Sequence, residues 1–173
     1  MYKIDTQLAQ IGNRSDTVTG TVNPPVYFST AYRHEGLGQS TEFDYSRTGN
    51  PTRQLLENTI SDLEYGDQGF ACSSGMAAIM TVLSLFQSGD EWLVSEDLYG
   101  GTYRLLEQGY KKWGLKCQYV NTCCPEEIER KITPQTKAIF LETPTNPLMK
   151  KTDISAVSEI AKKHGITLIV DNT

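Results

Sequence analysis

The sequence has no long hydrophobic run. Nothing in it approaches the roughly 20 apolar residues of a membrane-spanning helix, which argues against a membrane protein. It also lacks any run of basic residues, and its net charge is −5, so binding of duplex DNA or RNA by electrostatics is not expected. Histidine is scarce, with only His34 and His164. The four cysteines, Cys72, Cys117, Cys123 and Cys124, form no C-x-x-C pair. Together these absences argue against a metal site, zinc above all. The opening Met1-Tyr2-Lys3-Ile4-Asp5 lacks the apolar core of a secretory signal, so free thiols in a reducing cytoplasm are expected. The vicinal Cys123-Cys124 pair has no basic neighbour to activate a thiolate, so ordinary thiols are the simpler expectation there.

What is present is enough for one domain with a real core. The 173 residues are 38% hydrophobic and 21% charged, a globular balance. Residues 1–50 show no sustained period and are rich in Thr, Ser, Gly and Asn, with Pro24-Pro25 inside. That is long for a loop. Tyr27, Phe28, Tyr32, Phe43 and Tyr45 are too many aromatics for a disordered tail, so an arm lying against a neighbouring subunit is expected.

From Pro51 the chain alternates. A helix opens at Pro51-Thr52 with Leu55, Leu56, Thr59, Ile60 and Leu63 on one face and stops by Gly66. Strands are expected over 69–72, 92–95, 117–120, 138–141 and 166–170. Helices are expected from Ser74 through Phe86, over 102–113, over 125–132, and after the capping Asp153 through His164. Short apolar strands between helices predict an α/β fold, a mostly parallel sheet covered on both faces. The expected organisation is thus an arm, 1–50, followed by an α/β domain, 51–173.

In such sheets ligands gather beyond the carboxyl ends of the strands. The segments that follow the strands hold the unusual polar residues. Ser73-Ser74-Gly75-Met76 sits at a helix start, where free N–H groups and the helix dipole can hold a phosphate; Ser74 could equally be an ordinary N-cap. The turn is neither G-x-G-x-x-G nor a P-loop, which disfavours dinucleotides and nucleoside triphosphates. Tyr99, beside Gly100-Gly101, offers a face to a planar ring, or packs on its turn. Asp171 ends the last strand and could hold a protonated ring nitrogen, or cap a helix. Asn146, between Pro144 and Pro147, could donate to a ring hydroxyl, or make a turn. Phosphate donors, a stacking ring, a carboxylate for a ring nitrogen and an amide for a ring oxygen together describe a pocket for pyridoxal 5′-phosphate.

Five segments carry a resemblance. Tyr45-Ser46-Arg47-Thr48-Gly49-Asn50-Pro51-Thr52, Ser73-Ser74-Gly75-Met76-Ala77-Ala78, Asp97-Leu98-Tyr99-Gly100-Gly101-Thr102, Glu142-Thr143-Pro144-Thr145-Asn146-Pro147 and Val170-Asp171-Asn172-Thr173 resemble, in order, the Cys/Met-metabolism pyridoxal-phosphate enzymes. Gly12-Asn13-Arg14-Ser15-Asp16 and Ser29-Thr30-Ala31-Tyr32-Arg33-His34 look most like the cystathionine γ-synthase and O-acetylhomoserine sulfhydrylase branch. The resemblance implies the large domain of a fold-type I enzyme, truncated, with Ser74, Gly75 and Met76 at the cofactor phosphate. It implies Tyr99 stacking on the ring as the catalytic-site residue, Asp171 at the pyridine nitrogen, Asn146 near the ring hydroxyl and Thr173 near the ring face. Tyr45 and Arg47 would reach the phosphate of a neighbouring subunit's cofactor in a homo-oligomer, a homotetramer with shared sites.

The family's Schiff-base lysine follows in a Ser-x-Thr-Lys motif, and this sequence has none. Its ten lysines all precede Asp171, and Lys150 and Lys151 are expected in solvent. The sequence would then be the N-terminal part, somewhat under half, of a transsulfuration enzyme. The implied reaction is γ-replacement on an O-acylhomoserine by cysteine or sulfide, giving cystathionine or homocysteine. A cystathionine or homocysteine lyase of the same family is the alternative. An inert phosphate-ligand or oligomerisation fragment is the alternative of another class, and the 173 residues alone are expected to be inactive.

Overall fold

The computed structural model describes residues 3–13, 16–40 and 42–173; Arg14 and Ser15 of the Gly12–Asp16 segment lie outside them. The backbone forms two compact units, Met1–Ser73 and Ser74–Thr173.

In the first unit, helix α1 (Ile4–Ala9) and helix α2 (Pro51–Leu63) flank a long irregular stretch. The start of α2 is built as its sequence requires. Pro51 occupies the first turn, and the Asn50 side chain accepts from the N–H groups of Thr52 (2.9 Å) and Arg53 (3.3 Å). The amide end of Asn50 donates to the carbonyl of Tyr27 at 3.1 Å. The Arg53 guanidinium donates to the carbonyls of Ser46, Arg47 and Thr48, pinning the turn that carries Arg47. Neither helix of this unit contains a fully buried residue; Leu56 and Ile60 remain about half exposed. The strand expected over 69–72 does not form: this stretch is irregular, and Phe70 is 77% exposed. A strand needs a neighbour for its ladder, and these residues pair with none among those described.

The second unit is a four-stranded, fully parallel sheet in the order β2-β1-β3-β4: β1 is Glu91–Ser95, β2 Lys116–Val120, β3 Thr136–Glu142 and β4 Thr167–Asp171. Helix α3 (Gly75–Leu83), helix α4 (Gly100–Arg104), helix α5 (Pro125–Lys131) and helix α6 (Ile154–His164) complete it. Alternate side chains of the same strand feed opposite cores. Trp92, Val94, Ala138 and Phe140 pack with Leu83 of α3, Leu98, Leu106 and Leu115. Leu93, Ile139, Leu141 and Val120 pack with Ile128 of α5 and with Val157 and Ala161 of α6. Helices therefore cover both faces, as expected for strands apolar on both sides.

Two helices differ from the sequence expectation. Helix α3 ends at Leu83 with Ser84 as cap, so Phe86 lies beyond it; its ring still meets Trp92 edge-on at 4.8 Å. The single helix expected over 102–113 starts earlier, at Gly100, and changes pitch. It is α-helical to Arg104, widens into a π-turn over Leu105–Gly109, and tightens into a 3₁₀ turn over Tyr110–Trp113. Gly109 breaks the regular geometry, with φ −101° and ψ −86°. Helix α6 is capped by Asp153, whose carboxylate accepts from the N–H of Ala156 at 3.1 Å, and Gly165 ends it at φ 65°.

Candidate functional site

The carboxyl ends of β1, β3 and β4 and the start of α3 enclose one cavity of about 700 Å³, a size suited to a small organic ligand. Ser74, Gly75, Met76, Tyr99, Asn146, Asp171 and Thr173 all line it, although they come from four separate segments. The parallel topology accounts for this convergence, because every strand delivers the loop after it to the same edge. Tyr45 and Arg47 belong to the first unit. There the Arg47 Nη2 donates to the Tyr45 hydroxyl at 2.9 Å, with the guanidinium 5.0 Å from the ring centroid.

The start of α3 lines the cavity. Ser74 is extended, and its Oγ accepts from the N–H of Ala77 at 3.1 Å. The carbonyl of Ser74 accepts from the N–H of Ala78. The N–H groups of Gly75 and Met76 have no acceptor among the described residues. Open space lies where a side chain on Gly75 would project. The end of the helix thus presents two free amide donors beside a serine hydroxyl whose proton is uncommitted.

Asp171, at the end of β4, also lines the cavity. Its Oδ1 accepts from the N–H (3.2 Å) and hydroxyl (2.7 Å) of Thr173, while Oδ2 takes no hydrogen bond among the described residues. The neighbouring Asn172 amide donates to the carbonyl of Thr143 at 2.6 Å and ties this end to the loop after β3.

Tyr99 is 48% exposed, with its ring on the cavity. Glycine at 101 makes room for it: a Cβ there would stand 3.0 Å from Tyr99 Cδ1 and 3.1 Å from Met76 Sδ. The loop after β3 contains two cis peptides, Thr143–Pro144 and Asn146–Pro147. Asp97 steadies it, accepting from the Thr145 hydroxyl and from the N–H of Leu148 (3.1 Å). Lys150, expected in solvent, stays at the surface and pairs there with the exposed Glu96 at 3.0 Å; that bond raises its pKa.

Sequence reasoning missed Glu142 as a site residue. It closes β3, is buried, and lines the cavity. Its two oxygens accept from the backbone N–H groups of Tyr99 and Asn146, each at 2.8 Å. Burial pushes its carboxyl above the ordinary value; the two amide donors oppose that shift, and the charges of Asp171 and Asp97 add to it. A signal was present: Glu142 is a strand-end acid like Asp171, and the two are partners in the β3–β4 register.

Residues 5–173 match the family of Cys/Met metabolism PLP-dependent enzymes. The chain belongs to this family. It is 61% identical over 170 residues to a cystathionine gamma-synthase/O-acetylhomoserine (thiol)-lyase of Bacillus subtilis, covering 98% of this chain and 46% of the relative. It is 59% identical to a cystathionine gamma-synthase of Haemophilus influenzae, covering 99% of this chain and 47% of that one. Among solved structures, a cystathionine gamma-lyase from Lactobacillus plantarum complexed with L-serine superposes with a TM-score of 0.94 at 46% identity, over 99% of this chain and 45% of that one. The chain therefore spans a little under half the length of the curated relatives it matches. The sheet is that of the fold-type I large domain, in part, and the cofactor of the family is pyridoxal phosphate.

Proposed function

We propose that the chain forms the phosphate- and ring-binding part of a transsulfuration enzyme that carries out γ-replacement on an O-acylhomoserine. The cavity fits pyridoxal phosphate on one observation above all: its lining combines amide donors of Gly75 and Met76 that have no acceptor among the described residues with the Oδ2 of Asp171, which takes no hydrogen bond among them. A phosphate suits the first and a protonated ring nitrogen the second. In this reading Ser74, Gly75 and Met76 hold the phosphate, and Tyr99 lies against the ring. Asp171 keeps the ring nitrogen protonated, Asn146 donates to the ring hydroxyl, and Thr173 borders the ring face. When bound, the cofactor supplies an electron sink for charge developing on the substrate. Asp171 supports that role by holding the proton in place.

The reading favours cysteine or sulfide as the incoming group, with cystathionine or homocysteine as product, because the Bacillus subtilis relative carries both activities in its name. A lyase acting on cystathionine or homocysteine is the second reading, supported by the likeness to the Lactobacillus plantarum lyase. Tyr45 and Arg47 would serve a neighbouring subunit's phosphate in a homo-oligomer, with residues 1–50 as the arm. Arginine suits that task because its fork donates two bonds at once.

No lysine is among the residues lining the cavity. The 173 residues are accordingly proposed to bind the cofactor and to lack the amine needed for turnover. The experiment incubates the chain with pyridoxal phosphate, reduces it with borohydride, and maps labelled lysines by mass spectrometry. Turnover is followed in parallel with O-acetylhomoserine plus cysteine, and with cystathionine. Partial labelling scattered over several lysines, without turnover, is expected. One stoichiometrically labelled lysine accompanied by turnover refutes the proposed division of roles.

A further inference from the structure

Glu142 reaches two separate loops with one side chain. It is 5% exposed, and no lysine or arginine pairs with it among the described residues. A buried carboxylate without a cation is a costly way to fill space. Here both oxygens are used on main-chain donors: Oε2 on the N–H of Tyr99, in the loop after β1, and Oε1 on the N–H of Asn146, in the loop after β3. Both bonds are 2.8 Å, the length of charge-assisted hydrogen bonds. The base of Glu142 is itself fixed, since its N–H donates to the buried Ser95 hydroxyl at 3.2 Å. One carboxylate therefore sets how far apart the Tyr99 and Asn146 backbones stand, and both residues line the cavity.

We propose that Glu142 is a positioning residue, a two-pronged clamp that fixes the spacing between the Tyr99 ring and the Asn146 amide for the cofactor ring received between them. The ring part of this role rests on the pyridoxal-phosphate reading above. Glutamine cannot replace the clamp. It has one acceptor oxygen and one NH₂ donor, so one of the two N–H groups must lose its partner.

The test measures the affinity of the chain for pyridoxine 5′-phosphate, which has no aldehyde and so forms no bond to lysine. Four proteins are compared: the unmutated chain, Glu142→Gln, Tyr99→Ala and the double variant. Glu142→Gln should weaken binding roughly tenfold, the size of one charge-assisted hydrogen bond. On top of Tyr99→Ala it should cost clearly less than in the unmutated background, because only the Asn146 prong still positions a group at the ring. Equal losses in both backgrounds, or no loss in either, would overturn the proposal.

If Glu142→Gln shows no cooperative melting, the unmutated chain decides by amide NMR. The N–H signals of Tyr99 and Asn146 should shift together on acidification, with the midpoint of the Glu142 carboxyl carbon. The ionisable groups acting on Glu142 are Asp97 and Asp171, and their carboxyl carbons are followed alongside. Separate midpoints for the two amides, or midpoints that follow Asp97 or Asp171, overturn the clamp. Absence of pyridoxine phosphate binding by the unmutated chain overturns the cofactor reading and the ring-positioning role with it. The amide titration reads the clamp independently of that result.

Discussion

Ser74 offers a test that separates stability from ligand binding at one atom. Its Oγ accepts from the N–H of Ala77 at 3.1 Å, which caps helix α3. Its hydroxyl proton remains available as a third donor beside the N–H groups of Gly75 and Met76. Ser74→Ala removes both the cap and the donor. Ser74→Gly removes the donor but is a tolerated cap. Loss of a serine cap to alanine costs about 1 kcal/mol, against a few tenths for glycine. In a domain of this size about 1 kcal/mol lowers Tm by roughly 2–4 °C. A hydrogen bond to a charged group contributes about 1.5–3 kcal/mol, so both variants should bind pyridoxine 5′-phosphate roughly tenfold to a hundredfold more weakly. The expected pattern is a lower Tm for alanine, a nearly unchanged Tm for glycine, and the same affinity loss for both. Thermal melting by circular dichroism and a fluorescence titration of the ligand provide the two readings. If Ser74→Gly binds as tightly as the unmutated chain, the hydroxyl donates nothing to the ligand and Ser74 is a cap alone.

Two further outcomes rest on titrating groups. Burial pushes the Glu91 carboxyl up, but hydrogen bonds from Gln118, Thr133 and Thr136, with the Lys116 charge, outweigh it and hold the pKa below its ordinary 4.5. A depressed carboxyl pKa stabilises the fold above the unfolded-state value and loses that share as pH falls through the folded one. Urea unfolding should therefore show a stability loss below about pH 4.5 that Glu91→Gln diminishes, and an unchanged acid profile in that variant would refute the assignment. Burial, reinforced by the Glu107 charge, raises the Cys117 thiol to about 12, whereas Cys72 and Cys123 are exposed. Iodoacetamide at neutral pH should label Cys72 and Cys123 well before Cys117 in the folded chain; early labelling of Cys117, mapped by mass spectrometry, would contradict this packing.

The sheet was legible because its strands are short apolar runs: Trp92-Leu93-Val94 and Ala138-Ile139-Phe140-Leu141 serve two cores at once and leave no polar face. The convergence of the site followed from that alone, since a parallel sheet sends its loops to one edge. The strand expected over 69–72 was not readable, because a ladder partner is a property of the whole chain and not of a window. The pitch changes between Gly100 and Trp113 were hidden for a related reason. A spacing of three to four residues looks the same in α, π and 3₁₀ turns, while Gly109 departs from helical dihedrals. Lys150 stays at the surface as expected; its pairing with Glu96 was not legible, because Glu96 lies far off in sequence and comes close only when β1 and β3 pair. Glu142 shared the strand-end position that singled out Asp171, but its carboxylate faces main-chain donors, and main-chain donors leave no mark in a sequence.

The polarity of the cavity carries a consequence for orientation. The lining combines the amide donors of the α3 start, which favour negative charge, with the carboxylates of Glu142 and Asp171, which favour positive charge. The charges of Asp171 and Asp97 act on Glu142, and no lysine or arginine is bonded to Glu142 or Asp171 among the described residues. On the proposed reading, a guest carrying both a phosphate and a protonated nitrogen sets its phosphate at the amide donors and its nitrogen at Asp171, since the reverse would set phosphate against a carboxylate. The clamp and the field divide the work. On that reading the charged groups of the lining decide which way the ring points, and Glu142 decides how far apart the tyrosine and the asparagine stand when it arrives.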